Sequence, residues 1–133
     1  MKLVVNGLLG TGMQAAAEAL ALGQRAGLDR STLLDVLEQT SVLAAGTKRK
    51  LENARSDTYP VQFALRLMWK DFLNVLRLAE QHAVPTPTIA AAQQAYAVEE
   101  AKAIEEDFSA VVQMMESLAG LNGSRVGAQA RGA

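Results

Sequence analysis

The run from residue 3 to residue 22 constrains this chain more than any other feature. It is mostly apolar and long enough to cross a bilayer, yet Asn6, Gln14 and Glu18 interrupt it. Glu18 would be costly in hydrocarbon. Behind a single lysine, the run is also too long and too polar for a secretory leader. What remains is a helix of a soluble protein, buried nearly all round, and such a helix needs partners on several sides: other helices, a second domain or a second subunit. Gly7, Gly10 and Gly12 sit inside it. Each costs roughly 1 kcal/mol against alanine in a helix interior, so something must approach the backbone closely there. Their order, G-x-x-G-x-G with no strand before it, is not a dinucleotide fingerprint, and tight helix packing is the expected use.

The rest of the chain reads as helix too. Ala, Leu, Glu, Gln and Lys dominate, and no stretch alternates with period two over a strand length. The first helix is expected from about Lys2 to Ala26, stopped by Gly27. A second follows Asp29 or Ser31 and runs to about Gln39, with Leu33, Leu34, Val36 and Leu37 on one face. A third covers about Val42 to Asn53 and exposes Lys48, Arg49 and Lys50. The Ser56–Pro60 stretch is a turn by its chemistry. A fourth helix spans about Ala64 to Gln81, with Leu65, Met68, Phe72, Val75 and Leu76 at spacings of three and four. Thr86 or Thr88 is expected to cap a fifth, from about Thr88 to Ala103. Asp107 caps a sixth, which ends near Gly120. The expected fold is all-α: a bundle of about six helices over residues 1–120, with a long, mostly buried first helix and a disordered Gly/Ala/Ser/Arg tail over 121–133.

Composition narrows the chemistry. The 133 residues carry a net charge of −1 and no basic stripe, so there is no electrostatic case for nucleic acid. Without cysteine there is no disulfide and no thiolate catalysis. His82 is the only histidine, which excludes a multi-histidine metal site, and no metal is expected. A soluble, cytoplasmic protein is expected, without membrane partners. Three groups remain as candidates. Lys2 and Asn6 stand four residues apart, on one face of the first helix: an amine that can exchange a proton with a bound oxygen, and an amide that can hold that oxygen. The alternative for both is a frayed, solvated helix start. Lys70, in Trp69-Lys70-Asp71, is either a ligand-facing cation or a surface lysine beside an acid. The Lys48–Lys50 cluster, Glu99, Glu100, Glu105 and Glu106 read as solvated surface.

Taken in order, the motifs resemble a known family. Met1-Lys2-Leu3-Val4-Val5-Asn6 is similar to the start of the second domain of the β-hydroxyacid dehydrogenases, which include 3-hydroxyisobutyrate dehydrogenase and tartronate semialdehyde reductase. Ala17-Glu18-Ala19-Leu20-Ala21-Leu22, Lys70-Asp71-Phe72 through Leu76 and Ala79, a proline at Pro85 or Pro87, Tyr96, and Asp107-Phe108-Ser109-Ala110 follow in the family's order. The resemblance covers about residues 1–118. It implies a fold like the C-terminal domain of 6-phosphogluconate dehydrogenase, and a catalytic Lys2 acting as general acid/base at a carbonyl or hydroxyl oxygen. It also implies a substrate-placing Asn6, and Lys70 near the cofactor end of a cleft. The full-length parent would use NAD or NADP on a small β-hydroxyacid or its semialdehyde, and would pair as a dimer or tetramer through the helical domain. The Rossmann half that binds the cofactor is absent from this sequence, so the chain alone is expected to bind no cofactor and to be inactive. The competing expectation is a helical interaction module derived from the same fold. Relatives that took that route lose the lysine, which is retained here.

Overall fold

The computed structural model describes residues 1–102 and 105–121. Among them six α-helices succeed one another: α1 (Lys2–Arg25), α2 (Arg30–Gln39), α3 (Ala45–Ser56), α4 (Leu65–Gln81), α5 (Pro87–Ala101) and α6 (Val111–Leu118). A 3-10 turn at Phe108–Ala110 leads into α6. No strand occurs among the described residues, so the expected all-α bundle is what forms. The tail expected over 121–133 lies, apart from Leu121, outside the described residues.

Helix boundaries follow local chemistry. Gly27, at φ 98°, adopts the left-handed conformation open to glycine and closes α1, with Leu28 N–H on the Gly23 carbonyl at 3.0 Å. Asp29 caps α2, its carboxylate accepting the Thr32 N–H at 2.9 Å. α3 starts at Ala45 rather than near Val42, because the Thr40 hydroxyl takes up the Val42 N–H in a local turn. It also runs on to Ser56, three residues beyond the expected end, and closes at Asp57 in the left-handed region (φ 53°). Neither threonine caps α5 with its side chain. Pro87, which has no N–H to satisfy, occupies the first turn instead.

α1 runs through the middle of the bundle and packs against every other helix. Met13, Ala16, Ala17, Leu20 and Ala21 are buried, whereas Val4, Val5, Leu8 and Leu22 are exposed. The expectation of burial nearly all round is therefore corrected: within one chain α1 keeps an apolar outer face. A Cβ on Gly10 would fall 2.6 Å from Phe72 Cζ and 2.7 Å from Met68 Sδ, so glycine there is what lets α1 and α4 close up. At Gly7 and Gly12 the nearest contact would be an ordinary 3.5 Å. The predicted stripe of α4 faces inward at Leu65, Met68, Phe72 and Val75. On α2 Leu34 is buried but Val36 is exposed. Phe72 packs on Tyr96 with ring centroids 5.1 Å apart, and the Tyr96 hydroxyl donates to the Gly10 carbonyl at 3.4 Å. Burial raises the Tyr96 pKa well above its ordinary value.

Two buried carboxylates tie the helices together. Glu116 on α6 accepts from Arg30 Nε and Gln24 Nε2, both at 2.8 Å, linking α6 to the start of α2 and the end of α1. Asp107 receives Lys50 Nζ at 2.9 Å along with the N–H groups of Gln62, Phe63 and Ser109. Two sequence expectations fall here. Lys50 is not on the solvated face of α3, because Asp107 draws it inward and sets it over the Phe108 ring. Glu99 is buried, with Lys102 Nζ on its carboxylate at 3.2 Å, while Glu105 alone of the four acids is exposed. Among the described residues no helix is long and apolar enough to cross a membrane.

Candidate functional site

Lys2 and Asn6 occupy the first two turns of α1 and share a face. Lys2 is exposed; Asn6 is half-buried against α4. Asn6 Nδ2 donates to Asp71 Oδ2 at 2.8 Å. A carboxylate only accepts, so this bond fixes which end of the amide faces Asp71 and leaves Asn6 Oδ1 and one N–H for another partner. Lys70, next to Asp71 on α4, is exposed. Neither Lys2 nor Lys70 forms an ion pair with another described residue. The structure thus brings Asn6 to the segment that carries Lys70: Lys2 stands one turn before Asn6, and Lys70 one residue before Asp71.

Asp71 is the residue that sequence reasoning missed. It reads as a surface acid beside Lys70, yet it orients the candidate amide from 65 residues away. His82 is exposed at the end of α4 and makes no side-chain hydrogen bond to a described residue. No group of three or more His, Asp or Glu residues suited to a metal occurs among the described residues.

A family model described as the NAD-binding domain of NADP-dependent 3-hydroxyisobutyrate dehydrogenase matches residues 1–115. The chain belongs to this 3-hydroxyisobutyrate dehydrogenase family. Glyoxylate/succinic semialdehyde reductase 2, chloroplastic, of Arabidopsis thaliana is 36% identical over 118 residues, 88% of this chain and 33% of the relative. Cytokine-like nuclear factor N-PAC of Gallus gallus is 34% identical over 114 residues, 84% of this chain and 20% of the relative. The crystal structure of a 3-hydroxyisobutyrate dehydrogenase from Salmonella typhimurium superposes with a TM-score of 0.78 at 26% identity, over 85% of this chain and 40% of that one. The chain therefore spans a third or less of these two curated relatives. The all-helical fold and the family match over residues 1–115 agree with the resemblance.

Proposed function

We propose that this chain is the substrate-binding and oligomerisation half of an NAD(P)-dependent oxidoreductase acting on a small β-hydroxyacid or its semialdehyde. The observation that carries the reading is the Asn6–Asp71 hydrogen bond, which fixes an amide one turn from the exposed Lys2 amine. Lys2 delivers a proton to the substrate oxygen during reduction and withdraws it during oxidation. Asn6 donates its remaining N–H to the substrate, and Asp71 keeps that N–H aimed. Lys70 would hold the anionic edge of the cofactor; an exposed cation that forms no ion pair with a described residue fits that task. The bound nicotinamide would supply or accept hydride at the carbon bearing the oxygen.

The described residues contain no strand and hence no βαβ unit to cradle a dinucleotide, so in this reading turnover needs a second domain. Joined to a dinucleotide-binding domain of the family, the chain should support nicotinamide-dependent turnover of at least one member of a panel of small hydroxyacids and semialdehydes. A folded fusion inert across the panel would contradict the reading. A cysteine-free chain asks for no oxidising compartment, and a cytoplasmic setting belongs to the same proposal.

Assembly through α1 is the second part of the proposal. Val4, Val5 and Leu8 are more than half exposed, and Val4 and Leu8 line an apolar groove of about 430 Å³ together with Val75, Leu78, Val84 and Ile89. An apolar face of that kind on a helix at the centre of the bundle suits a second copy. Light scattering over a concentration series should give at least twice the chain mass; a monomer at every concentration would contradict assembly. The alternative role, an interaction module without turnover, draws support from the relative named as a nuclear factor. Retention of Lys2 favours the enzyme.

A further inference from the structure

Thr11 stands nine residues after Lys2, and nine steps of about 100° carry it to the opposite side of α1. Thr11, Gln14 and Glu18 follow one another there at spacings of three and four, and they line a cleft of about 750 Å³ between α1 and α5. Across it Ala91, Ala92 and Ala95 of α5 end in methyl groups, and Met115 of α6 adds a flexible thioether. Gln14 is only 4% exposed. Its Nε2 donates to Glu18 Oε2 at 3.1 Å, which fixes the end of the amide that faces Glu18. The other end, Oε1, is buried without a hydrogen-bond partner among the described residues, and so is the Thr11 hydroxyl. A buried acceptor without a donor is destabilising, and a ligand that brings the donor removes that penalty. Glu18 is exposed and forms no ion pair with a described residue, so the cleft carries one uncompensated negative charge.

The missing partner must therefore donate, and positive charge favours it. A carboxylate or phosphate would bring acceptors to acceptors and would face the Glu18 charge. A calcium-sized cation takes about six to eight oxygens, whereas this cleft offers one carboxylate beside an amide and a hydroxyl. A primary ammonium group has N–H donors pointing in several directions and no acceptor. It can serve Gln14 Oε1 and the Glu18 carboxylate together, while an aliphatic stem lies along the alanines and Met115. We propose that this cleft binds a small aliphatic primary amine in its ammonium form, with Gln14 and Glu18 receiving the N–H groups and the methyl groups of α5 covering the stem.

The n-butylammonium ion is a suitable probe. In a titration of the isotopically labelled chain followed by NMR, it should shift the amides of Thr11, Ala91 and Met115 saturably. Butyltrimethylammonium, equal in charge but without N–H donors, should bind about tenfold more weakly. Gln14→Leu and Glu18→Gln should each weaken binding of n-butylammonium by about tenfold, the share of one charge-assisted hydrogen bond. Leucine is close in size to glutamine and removes the unpaired acceptor, so Gln14→Leu should fold; Glu18→Gln, at an exposed position, carries the test if it does not. Glu80→Gln, a change to an exposed acid of α4 outside the cleft, should leave binding unchanged. No saturable shift, equal affinity for the two ammonium ions, or parent-like affinity in Glu18→Gln would overturn the proposal. Shifts of the same amides that grow with protein concentration and resist the probe would also overturn it, because they would put a side chain of a second copy, not a free amine, in the cleft.

Discussion

Replacing Asp107 by alanine should destabilise the fold by about 3–5 kcal/mol, the range found when one partner of a buried ion pair is removed. The side chain is fully buried and is tied to Lys50 Nζ at 2.9 Å, to the N–H groups of Gln62 and Phe63 at 3.1 and 3.0 Å, and to the Ser109 hydroxyl at 2.6 Å. Alanine would leave a largely buried ammonium without its counter-charge and several donors without an acceptor. It would also loosen the link that docks the segment before α4 and the start of α6 onto α3. Asparagine, close in shape but uncharged, should lose less. Urea denaturation at neutral pH measures both.

The same carboxylate makes stability depend on pH with a definite sign. Burial alone would raise the pKa of Asp107, but the Phe63 N–H, the Ser109 hydroxyl, Lys50 and the Gln62 N–H together hold it below the ordinary 3.8. The unfolded chain thus takes up this proton at higher pH than the folded chain does. The contribution is whole above about 3.8 and is lost as pH falls through the lower, folded value. The urea midpoint of the parent protein should therefore fall on acidification below that point, and the midpoint of Asp107→Asn should fall less.

The largest effect on activity is expected at Lys2. In the chain joined to a dinucleotide-binding domain, Lys2→Ala should lower kcat by about 10²–10⁴-fold, the share that general acid–base catalysis ordinarily supplies. Lys2 is exposed and its side chain has no hydrogen bond to a described residue, so folding stability should change by less than about 0.5 kcal/mol. A loss of turnover at unchanged urea midpoint separates a chemical role from a structural one. Asn6→Ala should act differently, raising KM as well, because it removes the group proposed to place the substrate and strands Asp71.

What the sequence made legible is what lies within one helix. Leu65, Met68, Phe72 and Val75 announce their inward face by spacing alone, and Lys2 with Asn6 share a face for the same reason. Gly27 and Asp29 mark their boundaries because left-handed backbone and N-capping are local chemistry. Contacts between helices leave no such mark. Asp71 meets Asn6 across 65 residues, Lys50 meets Asp107 across 57, and Arg30 meets Glu116 across 86. In the sequence Lys50 looks like solvated surface, Asp71 like an acid beside Lys70, and Asp107 like a helix cap alone. Helix α1 shows the converse: its apolar content is real, but a single chain covers only one side of it, so Val4, Val5 and Leu8 remain exposed.

The central claim is that Lys2 and Asn6 belong to a site where hydride transfer takes place. It is tested most directly by single-turnover oxidation of reduced nicotinamide in the fused protein, with substrate binding followed in parallel for the parent and for Lys2→Ala. The account predicts that both bind substrate and that only the parent transfers hydride at an appreciable rate. Equal rates in the two proteins, or binding without transfer in both, would contradict it.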